Sequence, residues 1–341
     1  MQATEKFDKL LAEYAQREQM SGSLLISKDG REILRRNFGY ANREKQIPVQ
    51  DTTLFRFYSL TKPFVAISIM QLYEKGLVRL EDRVCDVLPM ARGLSPKVTL
   101  RHLLQHTSGL VEVSSVETLA KNSEVCFKEV IRWLSEQPLD YEPGCDMSYR
   151  NTNYILLSLI VEELSGLCLE DYLQKNVFDR LGMSTALCEW NGMQIPDLAT
   201  GYDMIDGQIV PAGYVNMNLI YGSGCIVGSV DDVACLYRAI REKKLLKEST
   251  WQLIFTKAEV GIFGLGCSVG LDSNYLTYQH NGGHLGFRTI HRYLPEIDFD
   301  IILLSNSTYG NIRGDICEMI YDCFLTDEKY VTIEMDKGFA T

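Results

Sequence analysis

Apolar and polar positions alternate along the chain in a way that divides it into three stretches. Residues 4–19 carry Phe7, Leu10, Leu11 and Tyr14 at helical spacing. Residues 21–40 read as a β-hairpin, with Lys28-Asp29-Gly30 as the turn between two strand-like runs. A polar loop over 42–53 leads to the run from Phe64 to Tyr73, which is apolar on nearly every side and predicts a buried helix. Gly76 stops that helix. From 78 to about 220 helical spacing prevails, with helices expected over 99–105, 123–136, 152–165 and 170–181. From about 222 the pattern changes again. Ser229-Val230-Asp231-Asp232 has the form of a capping box and opens a helix over 233–241. Strand-like runs follow at 264–270, 275–280, 287–294 and 300–306, and a closing helix at 311–325.

Strands at both ends and helices between them predict an α/β (α+β) fold in a single domain over 1–341. One lobe is built from about 1–77 and 222–341, and a mostly helical lobe from about 78–221 is inserted into it. Composition fits this picture: 341 residues, 46% hydrophobic and 23% charged, give enough material for a large core. The net charge of −11, without any Lys/Arg run, argues against nucleic acid or an anionic membrane as partner. None of the ten cysteines forms a Cys-x-x-Cys pair, so they read as reduced core thiols. The polar start Met1-Gln2-Ala3-Thr4-Glu5-Lys6 lacks the look of a signal peptide, and no apolar run reaches spanning length. The expected location is the cytoplasm.

Candidate chemistry begins at Ser59-Leu60-Thr61-Lys62, just ahead of the buried helix. Side chains three apart on a helix share a face, so Lys62 can reach Ser59. A serine needs a neighbour to take its proton, and a lysine in a dry pocket has the lowered pKa to do so. Alone, the four-residue pattern also fits a capping serine and a surface lysine. Tyr149-Arg150-Asn151 lies between the Pro143-Gly144 turn and an apolar helix. A tyrosine between cationic groups can titrate low enough to act as a base, and Asn151 offers an amide to orient a carbonyl or the lysine. A packing Tyr and a capping Asn are the plainer alternative. His280-Asn281-Gly282-Gly283 ends a strand-like run, and its glycines permit close backbone approach. There Gly283 N–H can join Ser59 N–H in an oxyanion hole, and His280 can donate to substrate or to Tyr149. His102 and His106 are spaced like zinc ligands, but Leu103 stands where the metalloprotease pattern needs Glu, so no metal is expected. His291 reads as structural.

Taken in order, Ser-x-x-Lys, Tyr-x-Asn and His-x-Gly resemble the serine β-lactamase and penicillin-binding-protein superfamily, in its class C β-lactamase-like branch of D-amino-acid peptidases and esterases. Further segments carry the resemblance over roughly residues 5–325: Leu103-Leu104-Gln105-His106-Thr107-Ser108-Gly109-Leu110, Leu181-Gly182-Met183, Gly222-Ser223-Gly224 and Leu304-Ser305-Asn306. It implies an antiparallel sheet flanked by helices, Ser59 as acylated nucleophile, Lys62 and Tyr149 sharing the base role, Asn151 positioning substrate, His280 on the opposite wall, and Ser59 and Gly283 N–H groups around the oxyanion beside Gly282. It implies no cofactor, and a small-molecule or peptide-like substrate.

One departure matters. His280 stands where β-lactamases of this branch usually have Lys, and a neutral imidazole holds a carboxylate less well. The expectation is therefore a serine hydrolase of amides or esters with weak or no β-lactamase activity. The alternative is a penicillin-binding sensor that is acylated and does not turn over.

Overall fold

The computed structural model describes residues 3–113, 126–213, 215–272 and 274–325. Thirteen strands occur among them: β1 (Gly22–Lys28), β2 (Arg31–Phe38), β3 (Tyr40–Asn42), β4 (Ile47–Pro48), β5 (Phe55–Arg56), β6 (Leu187–Cys188), β7 (Tyr202–Ile205), β8 (Gln208–Pro211), β9 (Ile226–Gly228), β10 (Ser268–Asp272), β11 (Tyr275–His284), β12 (Phe287–Leu294) and β13 (Phe299–Ser305). Six of them form one antiparallel sheet in the order β10-β11-β12-β13-β1-β2, so the first hairpin of the chain zips onto its last strand. Asp29 and Gly30 both take positive φ, as the two-residue hairpin turn requires.

The helices that position the site are α1 (Ala3–Glu18), α2 (Lys62–Glu74), α3 (Asn151–Ser165), α4 (Val230–Arg241), α5 (Glu248–Ile254) and α6 (Ile312–Phe324). Alternation along the strands divides two cores between the faces of the sheet. Leu24, Ile26, Ile290, Ile301 and Leu303 pack with Phe7, Leu11 and Tyr14 of α1 and with Ile312, Ile316 and Ile320 of α6. On the other face Leu25, Phe287, Tyr293, Ile302 and Leu304 join α2, α3, α4 and α5 in a larger core. α2 lies deep in that second core, with Phe64, Val65, Ile69 and Met70 fully buried, which is why its sequence shows no polar stripe. The capping box at Ser229 and Asp232 forms, and α4 starts at Val230.

Some local expectations give way. The run 264–267 is a turn, closed by Gly264 N–H donating to Cys267 O at 2.9 Å, and the strand begins only at Ser268. β11 runs through to His284, so the glycine motif is strand rather than the end of one. The stretch 170–181 is helical as expected, from Leu169 to Leu181, with its middle, Gln174–Phe178, widened into a π-helical turn. Between 78 and 221 lie β6 and the β7–β8 hairpin as well as helices, the hairpin turning on Asp206-Gly207 with both φ positive. For the helix expected over 123–136 the structure gives Phe127–Ser135, and 123–125 lie outside the described residues. No single described helix is long and apolar enough to cross a membrane.

Candidate active site

Ser59 sits in a tight 3-10 turn, Tyr58–Thr61, that runs into α2. Tyr58 takes a φ of 46°, a conformation that costs energy and must be held by its surroundings. The hold is visible on both sides. Phe57 N–H donates to Ile226 O at 2.8 Å, Ile226 N–H donates to Thr61 Oγ1 at 3.0 Å, and Thr289 Oγ1 donates to Phe57 O at 3.0 Å. The nucleophile turn is thus clamped between β9 and the β11–β12 pair.

Lys62 is fully buried. Its Nζ lies 3.0 Å from Ser59 Oγ, 2.9 Å from Asn151 Oδ1 and 2.9 Å from Ser223 O. The surface-lysine reading is therefore excluded. Two acceptors fix the amine from behind, and the third contact is the hydroxyl it is to deprotonate. Burial pulls the ammonium down to about 7, while the nearby Glu112 carboxylate resists that drop. At neutral pH a large share of Lys62 is then a free amine, the form that accepts a proton.

Tyr149 and Asn151 enter from the start of α3. Asn151 is its first helical residue, preceded by Arg150 at the cap, so its side chain is not spent on capping and serves Lys62 instead. Asn151 N–H donates to Glu112 Oε2 at 2.5 Å. The Tyr149 ring lies 4.8 Å beneath Lys62 Nζ and stacks on His106 at 4.3 Å. Burial pushes its hydroxyl well above the usual phenol value, against the pull of a hydrogen bond to Ser59. This corrects the expectation of a low-titrating tyrosine: at neutral pH Tyr149 is a phenol, able to donate and relay a proton but not to stand as a phenolate.

His280 faces this pair with ring centroids 6.2 Å apart. Its Nδ1 lies 2.8 Å from Asn281 O. A carbonyl only accepts, so the ring proton is on Nδ1. Burial, reinforced by the charge of Lys62, lowers His280 to about 3 and keeps the ring neutral. Nε2 is then an acceptor, which corrects the donor role expected of it. Gly282 explains why this strand approaches so closely: a Cβ there would stand 1.9 Å from Phe57 O and 2.3 Å from Thr289 Oγ1. Gly283 is the next residue, and β10 pairs with β11 only as far as Gln279, so the 280–284 edge faces the nucleophile turn rather than another strand.

The histidines expected to be structural divide. His102 completes a capping box with Thr99, and His291 is buried in a 2.8 Å pair with Asp300. His106 is more than helix-end packing. Its Nδ1 accepts from Arg150 N–H at 3.2 Å and its ring supports Tyr149. Glu112 and Ser223 also belong to the site: Glu112 carried no pattern of its own, and Gly222-Ser223-Gly224 carried part of the resemblance without a role for Ser223. Among the described residues no group of three or more His, Cys, Asp or Glu side chains could hold a metal ion. The ten cysteines are free thiols. Residues 114–125 and Tyr214 lie outside the described residues.

Comparison with known proteins gives a consistent picture. The family model described as Beta-lactamase matches residues 7–319. The chain is 27% identical over 311 residues to the putative penicillin-binding protein PbpX of Bacillus subtilis (strain 168), covering 91% of this chain and 77% of that one. It is 27% identical over 295 residues to a D-aminopeptidase of Gluconobacter oxydans (strain 621H), covering 84% of this chain but 55% of that one. Among solved structures, a penicillin binding protein from Bacillus halodurans superposes with a TM-score of 0.80 at 25% identity, covering 92% of this chain and 99% of the other.

Proposed function

The chain belongs to the beta-lactamase family, and from that premise we propose that it is a serine hydrolase working through an acyl-enzyme on amide or ester substrates. The observation that carries this reading is the buried Lys62 amine, 3.0 Å from Ser59 Oγ and lowered to about 7. A neutral amine at that distance takes the Ser59 proton as Oγ attacks the substrate carbonyl. The N–H groups of Ser59 and Gly283 receive the developing oxyanion. Tyr149, as a phenol, gives its proton to the leaving nitrogen or oxygen and recovers one from the Lys62 ammonium. The acyl group remains on Ser59 until water, giving its proton to the Lys62 amine as it attacks, releases it.

The same features argue for little turnover of β-lactams. His280 brings no positive charge to Tyr149, and the phenol pushed up by burial is a poor base for deacylating water. Those two facts also favour the second reading, a penicillin-binding sensor that stays acylated. A screen of p-nitrophenyl esters, D- and L-aminoacyl amides and a chromogenic cephalosporin, with Ser59→Ala as control, tests the proposal. Ester or amide hydrolysis that vanishes in the variant is expected. No hydrolysis, together with a β-lactam adduct that persists for hours in intact mass spectra, would establish the sensor instead.

A further inference from the structure

Residues 148–153, which carry Tyr149 and Asn151, are fastened one after another to the stretch 106–113. Ser148 N–H donates to His106 O at 3.0 Å, and Arg150 N–H donates to His106 Nδ1 at 3.2 Å. Between them the Tyr149 ring stacks on the His106 imidazole, with 4.3 Å between centroids. Asn151 N–H reaches Glu112, and Thr152 Oγ1 donates to Val111 O at 2.8 Å and accepts from Val113 N–H at 2.9 Å. Asn153 closes the run. Its Oδ1 accepts from Ser108 Oγ at 2.7 Å, which turns its amide nitrogen toward His106 Nδ1, 3.2 Å away. Ser148, Tyr149, Arg150 and Asn153 thus all converge on His106.

His106 holds this position at a cost. Its φ of 58° is one that a histidine adopts only where its surroundings enforce it. Its Nδ1 meets two N–H donors, so the lone pair is there and the ring proton is on Nε2. That N–H is buried with no acceptor among the described residues, which is a second cost. Burial and the charge of Lys62 hold the imidazole well below its ordinary value, so it stays neutral and keeps the Nδ1 lone pair. Backbone strain and an unmet buried donor at one residue point to a geometry that the reaction needs.

We propose that His106 is the positioning residue of the Tyr149 general acid: it fixes the backbone on both sides of Tyr149 and the plane of its ring, so that the phenol proton meets the leaving atom of the substrate. The role of Tyr149 rests on the serine hydrolase reading. As the bond from the carbonyl carbon to the leaving oxygen or nitrogen breaks, its electron pair goes to that atom, which takes the Tyr149 proton. Tyr149 regains a proton from the Lys62 ammonium. Lys62 is held by acceptors of its own, Asn151 Oδ1 and Ser223 O. Loss of His106 should therefore slow departure of the leaving group more than attack by Ser59.

The test is a double-mutant cycle of His106→Asn and Tyr149→Phe, with thermal unfolding confirming that each variant is folded. Asparagine tolerates the left-handed backbone but lacks the ring. The substrates are p-nitrophenyl, phenyl and 2-phenylethyl acetate, whose leaving groups need a proton increasingly, and kcat/KM is read because it reports acylation. His106→Asn is expected to lower kcat/KM about 100-fold for the most basic leaving group and far less for p-nitrophenol. Added to Tyr149→Phe, it should cost no more than about threefold further. A merely structural role would cost the same with every ester and in either background. On the Ser59→Ala background, NMR of ¹³C-labelled tyrosine reads the placement without hydrolysis. The Tyr149 ring signals, assigned by Tyr149→Phe, are shielded by the stacked imidazole and should move toward the ordinary tyrosine position in His106→Asn. An unchanged dependence on leaving group, an equal cost with and without the Tyr149 hydroxyl, or unmoved Tyr149 signals would each overturn the proposal. Where the wild type cleaves no ester, the hydrolase reading fails, and the NMR shift alone decides whether His106 places Tyr149.

Discussion

Lys62→Met isolates the electrostatics on which the site depends. The ammonium is lowered from its ordinary 10.5 to about 7 by burial. At 1.36 kcal/mol per pH unit, that drop corresponds to roughly 5 kcal/mol of differential interaction. The sign follows from proton binding. Between pH 7 and 10.5 the unfolded chain holds the Lys62 proton and the folded chain does not, so folded stability rises with pH across that window. Below pH 7 the full cost of burying the charge is present, and above 10.5 it is gone. Methionine fills the same volume without titrating. Other groups titrate alike in both proteins, so the difference between them reports Lys62 alone. Urea unfolding, followed by the fluorescence of the three tryptophans, gives the stability of each protein from pH 6 to 10. The wild type should gain on the variant by about 1.4 kcal/mol per pH unit above pH 7, approaching roughly 5 kcal/mol in total. The three hydrogen bonds lost with the amine shift the variant's stability by an amount that does not vary with pH in this way. A wild-type-minus-variant difference that stays flat from pH 6 to 10 would refute the claim that Lys62 is held as a depressed amine.

Two further substitutions probe the geometry around it. Asn151→Asp places a carboxylate 2.9 Å from Lys62 Nζ. An opposite charge at that range raises a lysine pKa by about 1–3 units, so the acid limb of kcat/KM, expected near pH 7 in the wild type, should move up correspondingly, as a pH–rate profile will reveal. Gly282→Ala drives a Cβ to 1.9 Å from Phe57 O. It should cost about 1–3 kcal/mol in unfolding free energy and on the order of 10²-fold in kcat, because β11 must retreat from Ser59.

Much of this arrangement was legible in the sequence because the signals were local. Asp29-Gly30 announced the first hairpin, Ser229 and Asp232 announced α4, and the run from Phe64 to Tyr73 announced a buried helix. The three site motifs came together as expected because each sits on an element whose start the sequence marks. What escaped was of two kinds. Short strands such as Leu187–Cys188 have too few residues to show a period, and the Asp206-Gly207 turn was passed over inside a stretch dominated by helical spacing. The second kind is environment. Nothing in the letters around Tyr149 says that it stacks on His106 and lies out of water, so the direction of its pKa could not be read. Glu112 meets Asn151 across 39 residues of chain, a product of the fold.

The central claim is that Ser59 is a nucleophile activated by Lys62. The most direct measurement is the rate of covalent labelling by a fluorophosphonate, followed by intact mass and peptide mapping across pH 5–9. One adduct at Ser59 is predicted, with a rate that rises through about pH 7 as Lys62 loses its proton. Ser59→Ala should label on the order of 10⁶-fold more slowly, or not at all. Labelling at another residue, or equal labelling of wild type and variant, would contradict the account.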